Sequence, residues 1–431
     1  MDNKEFCLRG EMSTEDEGIE QLAISVICVK LIQIMAKQGI TILILLGYIR
    51  VAIFTTSLPT CPSECLCLSQ TQVLCNSGGL VEIPLKKFPP TVEHLSLTRN
   101  SFSLIKSDTF SGLRQLRKLS LDGNNISLIK PFAFRGLPKL RDLSIQHTPL
   151  KTVSPFAFAG LQNISTIYLS YNKIKSVEGY AFAGTTNLKL LVLSHNPLIV
   201  LESNAFTGIT EVERIALPSG IKVLEPDCFN GLDTLGHMQL AFMDLRSLKR
   251  GIFRGFTNVK YLSIQESDLG VIEGDAFDDM TYVRSLNFLN NKIDSIQWLN
   301  WTWEQHIGHV RFQGNHILEI PKPETLLIEV EKLTVVSNHF PCDCHLHSLL
   351  AGPLANGSIV NFISKNYCIS PLEVNGMYMN NIDIESIARC EEVTKENLEA
   401  SPSSSNSAQK LENLCSYLNI LLYLLKLFRI T

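Results

Sequence analysis

A run of apolar residues that repeats about every 24 positions dominates this sequence. The segment "LRKLSLDGNNISLIKPFAFRGLPK", from Leu116 to Lys139, is followed by "LRDLSIQHTPLKTVSPFAFAGLQN", in which the apolar letters keep the same offsets. Such repetition is typical of a solenoid, in which each repeat forms one coil. The pattern L-x-x-L-x-L-x-x-N begins eleven times, in steps of 24 residues except for two of 23, at Val92, Leu116, Leu140, Ile164, Leu188, Val212, Leu235, Val259, Val283, Ile307 and Val330.

Each coil is predicted to contribute one short strand. The L-x-L alternation has the period of a strand, so one apolar row points inward and the intervening residues point outward. A single coil cannot bury its own leucines, whereas stacked coils share one continuous core. Neighbouring strands are therefore expected to pair in parallel, about 4.8 Å apart.

Two further series follow the same period. Phenylalanines are expected to fill the opposite side of the coils, and Trp301 takes their place in the ninth coil. An asparagine at the ninth position is expected to turn the chain and to bond backbone groups of adjacent coils. These series are Phe110, Phe134, Phe158, Phe182, Phe206, Phe229, Phe253 and Phe277, and Asn100, Asn124, Asn172, Asn196, Asn291, Asn315 and Asn338.

Four coils lack the asparagine. They have Thr148, Gly220, Met243 and Ser267 instead, and one 23-residue step lies among them, between Val212 and Leu235. We expect altered curvature or looser turns in this region; tolerated drift is the alternative.

The twelve cysteines are unevenly placed. Four lie between Cys61 and Cys75, four between Cys342 and Cys390, and Cys228 alone between these groups. Such clusters at both ends of a cysteine-poor region predict disulfide-bonded caps and an oxidising compartment. Cys228 stands where most neighbouring repeats have Ala or Thr, so we interpret it as a buried free thiol rather than a nucleophile.

One cysteine string has a second interpretation. Cys342-x-Cys344-His345-x-His347 could form a zinc site. In an exported chain with two more cysteines at a suitable distance, disulfides are favoured, and no metal or other cofactor is expected.

The N-terminal residues 1–57 are interpreted as a targeting segment. From Met35, residues 35–57 give a short basic start, an apolar run and small residues where a signal peptidase could cut. Arg50 interrupts the run. An uncleaved anchor is the alternative, and translation could start at Met1 or Met35.

The C-terminal end resembles a lipid-anchor attachment signal. A polar linker at 391–413 contains small residues, and a hydrophobic tail follows at 414–431. Lys426 and Arg429 weaken this pattern. A short membrane span and a secreted protein with an amphipathic tail remain alternatives, although the tail is short for a span.

With these motifs, residues 61–390 resemble the extracellular leucine-rich repeat family, whose cysteine-rich flanks cover the end coils. The resemblance implies an α/β fold: a curved solenoid with a parallel β-sheet on its concave face. It divides the chain into an N-terminal cap at 61–91, repeats at 92–339 and a C-terminal cap at 340–390. The implied disulfides are Cys61–Cys67, Cys65–Cys75, Cys342–Cys368 and Cys344–Cys390.

Large side chains at outward positions of coils four to eight suggest a protein-binding patch. A less specific interpretation is that occasional aromatic residues occur on any such wall. The expected partner-binding residues are Tyr168, Tyr171, Val192, His195, His237, Phe242 and Tyr261. The net charge of −4 gives no reason to expect nucleic-acid binding, and the basic residues are too spread for strong polyanion binding.

Four N-x-S/T sequons, at Asn125, Asn163, Asn300 and Asn356, are candidate glycosylation sites. The sequence shows no catalytic triad, phosphate loop or carboxylate pair, so we expect a non-enzymatic protein. One hypothesis is a cell-surface recognition or adhesion protein that binds an extracellular or cell-surface protein, or a second copy of itself. In layout it resembles lipid-anchored leucine-rich adhesion proteins such as connectin. The other hypothesis is a secreted matrix or ligand-sequestering protein.

Overall fold

The computed structural model describes residues 61–383 apart from 298, 300, 302–303, 323–329 and 352–357. The predicted targeting segment, polar linker and hydrophobic tail lie outside the described residues. Within them, thirteen strands form one sheet, and all neighbours pair in parallel except the first two. The eleven strands from coil one to coil eleven are those that the repeats predicted.

We call the solvent-facing side of this sheet the front wall. Its strands are β1 (Leu66–Cys67), β2 (Gln72–Leu74), β3 (His94–Ser96), β5 (Lys118–Ser120), β7 (Asp142–Ser144), β9 (Thr166–Tyr168), β11 (Leu190–Val192), β13 (Glu211–Ala216), β15 (Thr234–Ala241), β17 (Asn258–Gln265), β19 (Tyr282–Leu289), β21 (His306–Gln313) and β23 (Lys332–Val336).

Each coil contributes a second, shorter segment, and the C-terminal cap adds one more; we call these segments and the turns that follow them the back wall. In the described residues these segments form sheets of two, four and six strands. They are β4 (Leu104–Ile105) and β6 (Leu128–Ile129); β8 (Thr152–Val153), β10 (Ser176–Val177), β12 (Val200–Leu201) and β14 (Val223–Leu224); and β16 (Ser247–Leu248), β18 (Asp268–Ile272), β20 (Lys292–Ile296), β22 (His316–Ile317), β24 (His339–Pro341) and β25 (Tyr367–Ser370).

The core is the continuous apolar ribbon that the period predicted. Leu119 and Leu121 of coil two are buried, as are their equivalents Leu143 and Ile145 one coil later. The phenylalanines form a column of nearly parallel rings, with centroids 5.2–6.2 Å apart from Phe110 to Phe277. Trp301 is buried and meets Phe277 edge to face, so it replaces the expected phenylalanine.

The ninth-position asparagines form a ladder of hydrogen bonds along the stack. The side-chain amide of Asn172 donates to the carbonyl of Leu169 in its own coil and to that of Ile145 in the preceding coil. Its side-chain oxygen accepts from the backbone N–H of Thr148. Each asparagine thus bonds backbone groups that burial would otherwise leave unpaired.

The strands of the front wall lengthen at coil six, the first of three consecutive coils without this asparagine. These strands are three residues long in coils one to five and six to eight residues long in coils six to ten. The long strands persist in coils nine and ten, where Asn291 and Asn315 are present. The missing asparagine is therefore not what lengthens the strands, and altered curvature stays a prediction.

The N-terminal cap closes the first coil. Its strand β1 pairs antiparallel with β2, and β2 pairs in parallel with β3. The disulfides Cys61–Cys67 and Cys65–Cys75 join its segments. Phe88 and Val92 are buried beneath it, so the cap covers the apolar end of the stack.

The C-terminal cap contains helices α1 (Cys344–Ala351) and α2 (Ser358–Lys365). In the described residues, α-helices occur only in this cap, and the coils are joined by turns. Cys342 is bonded to Cys368, which rules it out as a zinc ligand. Cys390, the expected partner of Cys344, lies outside the described residues.

Candidate functional site

Four of the predicted partner-binding residues lie on strands of the front wall. Tyr168 and Val192 occupy the same position on neighbouring strands, and their backbones pair in register. His237 and Tyr261 form a second such pair, with ring centroids 5.6 Å apart. The structure therefore places these residues as two pairs, one in coils four and five and the other in coils seven and eight.

Coil six joins the two pairs. Ala216 continues the row of Tyr168 and Val192, and Arg214 pairs in register with His237. Ala216 adds no large side chain between the two pairs in its row, and Arg214 is exposed beside His237. Sequence reasoning missed Arg214, although its place at the third position of coil six was readable from the repeat.

The other three predicted residues do not lie on strands. Tyr171, His195 and Phe242 occupy the eighth position, where each has a positive φ of 54–57° and begins the turn after the strand. The strands end three residues before Tyr171 and His195 and one residue before Phe242, whereas the sequence interpretation counted the eighth position among the outward strand positions. Of the eleven described residues at this position, all but Ser219 have a positive φ. We correct this part of the prediction: these side chains line the edge of the front wall.

At this edge, three rings stack along successive coils. The Tyr171 ring lies 4.9 Å from that of His147 and 4.3 Å from that of His195, within 10° of parallel. We call His147, Tyr171 and His195 the edge ladder. Tyr171 is still 50% exposed, and Phe242, two coils beyond His195, is 55% exposed.

A second exposed ladder lies on the back wall and was missed. The rings of Phe132, Phe156 and Tyr180 stack 5.9 and 6.1 Å apart, and each residue has a positive φ. The guanidinium of Arg135 lies over the Phe132 ring and also pairs with Asp108. The signal in the sequence was an aromatic residue two positions before the buried phenylalanine in coils two to four.

Three ion pairs join neighbouring coils along the front wall. They connect Arg117 to Glu93, Lys118 to Asp142, and Lys189 to Glu213, with N–O distances of 3.2–3.4 Å. Such exposed pairs each stabilise by less than about 1 kcal/mol. Each pair sets one negative charge beside one positive charge.

Two observations on the described residues concern metal binding and nucleophilic chemistry. None of their His, Cys, Asp and Glu side chains form a group of three or more that could hold a metal ion. Cys228 is buried as predicted, and this burial raises the pKa of its thiol far above the ordinary value. A thiol that stays protonated is a poor nucleophile.

Two of the four sequons fall within the described residues. The side chains of Asn125 and Asn163 are both exposed. Asn163 donates a hydrogen bond to the carbonyl of Pro138 in the preceding coil. Asn300 and Asn356 lie outside the described residues. Neither helix of the described chain has the length and apolar character to cross a bilayer.

The histidine pair at the C-terminal end gives a pH-dependent prediction. His339 stacks between His316 and Tyr367, at 4.5 and 5.0 Å, and Tyr378 and Lys292 border this stack. Burial, and secondarily the charge of His316, lowers the pKa of His339. The unfolded chain then binds more protons than the folded chain as the pH falls below about 6.5.

We expect the melting temperature to decrease between pH 7.5 and pH 5. The decrease should be smaller in His339→Phe, which keeps a ring in the stack but cannot be protonated. Thermal unfolding of both proteins across this range measures the difference. Equal pH dependence in the two proteins would contradict this assignment.

Comparison with known proteins agrees with this architecture. The family model described as "Leucine rich repeat" matches four overlapping segments, 73–126, 90–150, 114–174 and 139–198. The model described as "BspA type Leucine rich repeat region (6 copies)" matches 175–306. Together they span 73–306, more than half of the chain. No curated protein matches the sequence significantly.

Solved structures resemble this chain at low identity. One is the FLRT2 leucine-rich repeat chain in an octameric complex with Latrophilin 3 and Unc5D, at 22% identity and a TM-score of 0.50, covering 75% of this chain and 98% of that chain. Human 5T4, trophoblast glycoprotein, matches at 19% identity and a TM-score of 0.37, covering 75% and 98%. The Drosophila Toll–Spatzle complex matches at 18% identity and a TM-score of 0.47, covering 73% and 48%. The repeats, the parallel sheet, the cysteine-rich caps and the two family models together show that this chain belongs to the leucine-rich repeat family.

Proposed function

We propose that this protein is a non-enzymatic extracellular recognition protein that binds another protein, or a second copy of itself, through the front wall. The observation that carries the proposal is the open surface formed by Tyr168, Val192, His237 and Tyr261, which a rigid sheet holds in fixed register. Large rings on a rigid backbone lose little conformational freedom on binding, so they can contribute strongly to affinity.

Cell-surface adhesion is the more specific form of this proposal. The solved leucine-rich repeat chain of FLRT2 is part of a complex with other proteins, which supports a protein partner. The disulfides of both caps support an extracellular location. The alternative is a secreted matrix or ligand-sequestering protein. Release of the full chain from intact cells by a phosphatidylinositol-specific phospholipase favours a lipid-anchored protein, and its presence in untreated medium favours secretion.

Replacing both Tyr168 and Tyr261 with alanine should weaken partner binding without unfolding the protein. If both rings contact the partner, each replacement should cost about 1–3 kcal/mol. The full chain is first used to capture a partner from a surface-labelled extract. The affinity of each variant for the captured protein, and for a second copy of the chain, is then measured by titration.

The matched control is Phe156→Ala, which removes an exposed ring from the back wall. A partner that the control retains and the double variant loses supports binding at the front wall. Loss of binding in the control alone would assign the partner to the back wall instead.

A further inference from the structure

A groove runs along the edge of the front wall in coils two to four. It encloses about 500 Å³. Its floor is the ninth position, where Asn100, Asn124, Thr148 and Asn172 are all buried. His147 and Tyr171 of the edge ladder border one side. The tenth-position residues Asn125, Pro149 and Lys173 border the other.

The edge ladder stops at a gap on the N-terminal side of His147. The rings of His147, Tyr171 and His195 follow one another at the spacing of the coils, 4.3–4.9 Å. In coil two the same position is Gly123, which has a φ of +70° and no side chain to cover the ring of His147. A Cβ placed there would meet the side chain of Arg99, at 3.1 Å. The Arg99 side chain therefore occupies part of the space beside Gly123, and the groove reaches Gly123 and His147 on the remaining side.

Asn125 stands directly beside this gap. It lines the groove together with Gly123, His147 and Tyr171, and its side chain is exposed. Asn125-Ile126-Ser127 is an acceptor sequence for an N-linked glycan. A sugar ring attached at Asn125 thus begins inside the groove, two residues along the chain from the missing side chain.

We propose that Asn125 carries an N-linked glycan whose first sugar lies in this groove, over the ring of His147, and extends the edge ladder by one ring. A sugar ring has an apolar C–H face that packs on an aromatic ring and hydroxyl groups that remain in water, so it suits a site with one aromatic wall and one open side. The groove volume exceeds that of a dozen waters at about 30 Å³ each, which is ample for one such ring. The inference rests on the proposed export of the chain.

The proposed glycan would limit which surface a partner protein can reach. A glycan on Asn125 covers the edge of coils two and three. The strand residues Tyr168, Val192, His237 and Tyr261 lie on other coils or away from this edge, so they stay open.

The test uses the full chain produced by animal cells. Glycopeptide mass spectrometry should find Asn125 occupied. Removal of the glycan by Asn125→Gln should lower the melting temperature by roughly 1–3 °C, the size expected for one lost ring contact. The same replacement in a His147→Ala background should have no effect, because the packing surface is already absent.

Two variants act as controls. Asn163→Gln removes the other described sequon, which lies outside the groove, together with the hydrogen bond to Pro138, and its effect on the melting temperature should be the same with and without the ring of His147. Gly123→His should place a ring beside that of His147 once the Arg99 side chain shifts by a few tenths of an ångström, as His147 and His195 show that histidine adopts this backbone conformation. In the Gly123→His background, removal of the Asn125 glycan should no longer change the melting temperature.

Two results would overturn the inference. The first is an exported chain with Asn163 occupied and Asn125 bare, which leaves the proposed export intact. The second is an occupied Asn125 whose loss has the same effect with and without the ring of His147. A chain that never enters the secretory pathway would overturn both this inference and the proposed location.

Discussion

Replacing Phe182 with alanine is expected to lower the free energy of unfolding by about 3–5 kcal/mol. Phe182 is fully buried and stacks between Phe158, at 5.3 Å, and Phe206, at 6.0 Å. The substitution leaves a cavity in a column whose neighbouring rings are fixed by their own coils, so the gap cannot close. Chemical denaturation monitored by circular dichroism measures the loss.

The exposed ladder offers a matched control for this experiment. Phe156 also stacks between two rings, Phe132 and Tyr180, but is 39% exposed. Phe156→Ala removes the same atoms and the same number of ring contacts at the surface, and should cost less than about 1.5 kcal/mol. Similar losses in the two variants would show that the buried column is not what stabilises the stack.

Replacing Asn315 with alanine is expected to cost about 2–5 kcal/mol, because it leaves buried backbone groups unpaired. Asn315 is 0% exposed. Its side-chain oxygen accepts from the backbone N–H of Asn291, at 2.8 Å, and its amide donates to the carbonyl of Phe288, at 2.9 Å. Both backbone groups would lose these partners in a site that water does not reach.

A serine at the same position should cost less. Ser267 occupies the ninth position in coil eight, and its hydroxyl accepts from the backbone N–H of Met243, at 3.0 Å. Asn315→Ser can keep this one bond while it loses the others. Denaturation of the two variants side by side is the measurement, and a serine variant as unstable as the alanine variant would contradict the hydrogen-bond explanation.

The sequence was sufficient to predict the strands and the core. Every coil must bury one face, so replacing a residue such as Leu119 or Phe182 with a polar one would lower stability. The 24-residue spacing of apolar positions therefore remains visible in the sequence. The turns were harder to read. The strand periodicity placed Tyr171, His195 and Phe242 on the sheet, although the backbone has already turned there.

The turns were hard to predict because the eighth position constrains the backbone conformation and not the type of side chain. The eighth position has a positive φ in every described coil but the sixth, and residues as different as Arg99, Gly123, Tyr171 and Glu266 adopt it. Without a shared side chain there is no pattern to recognise. Gly123 and Gly314 at this position were the available signal, since glycine favours this conformation. The stacking of exposed rings depends on contacts between coils, which no single repeat displays.

The asparagine ladder has a direction, and this makes the two ends of the stack unequal. Each side-chain oxygen accepts from a backbone N–H of the coil before it, so a coil that precedes such an asparagine depends on its successor. Asn338 lies in the last repeat, and its acceptor is Asn366 of the C-terminal cap. The side-chain oxygen of Asn366 accepts from both the backbone N–H and the side-chain amide of Asn338. A truncation ahead of Asn366 would therefore leave the backbone N–H of Asn338 without its acceptor. Additional repeats inserted within the stack would instead supply their own asparagine acceptors.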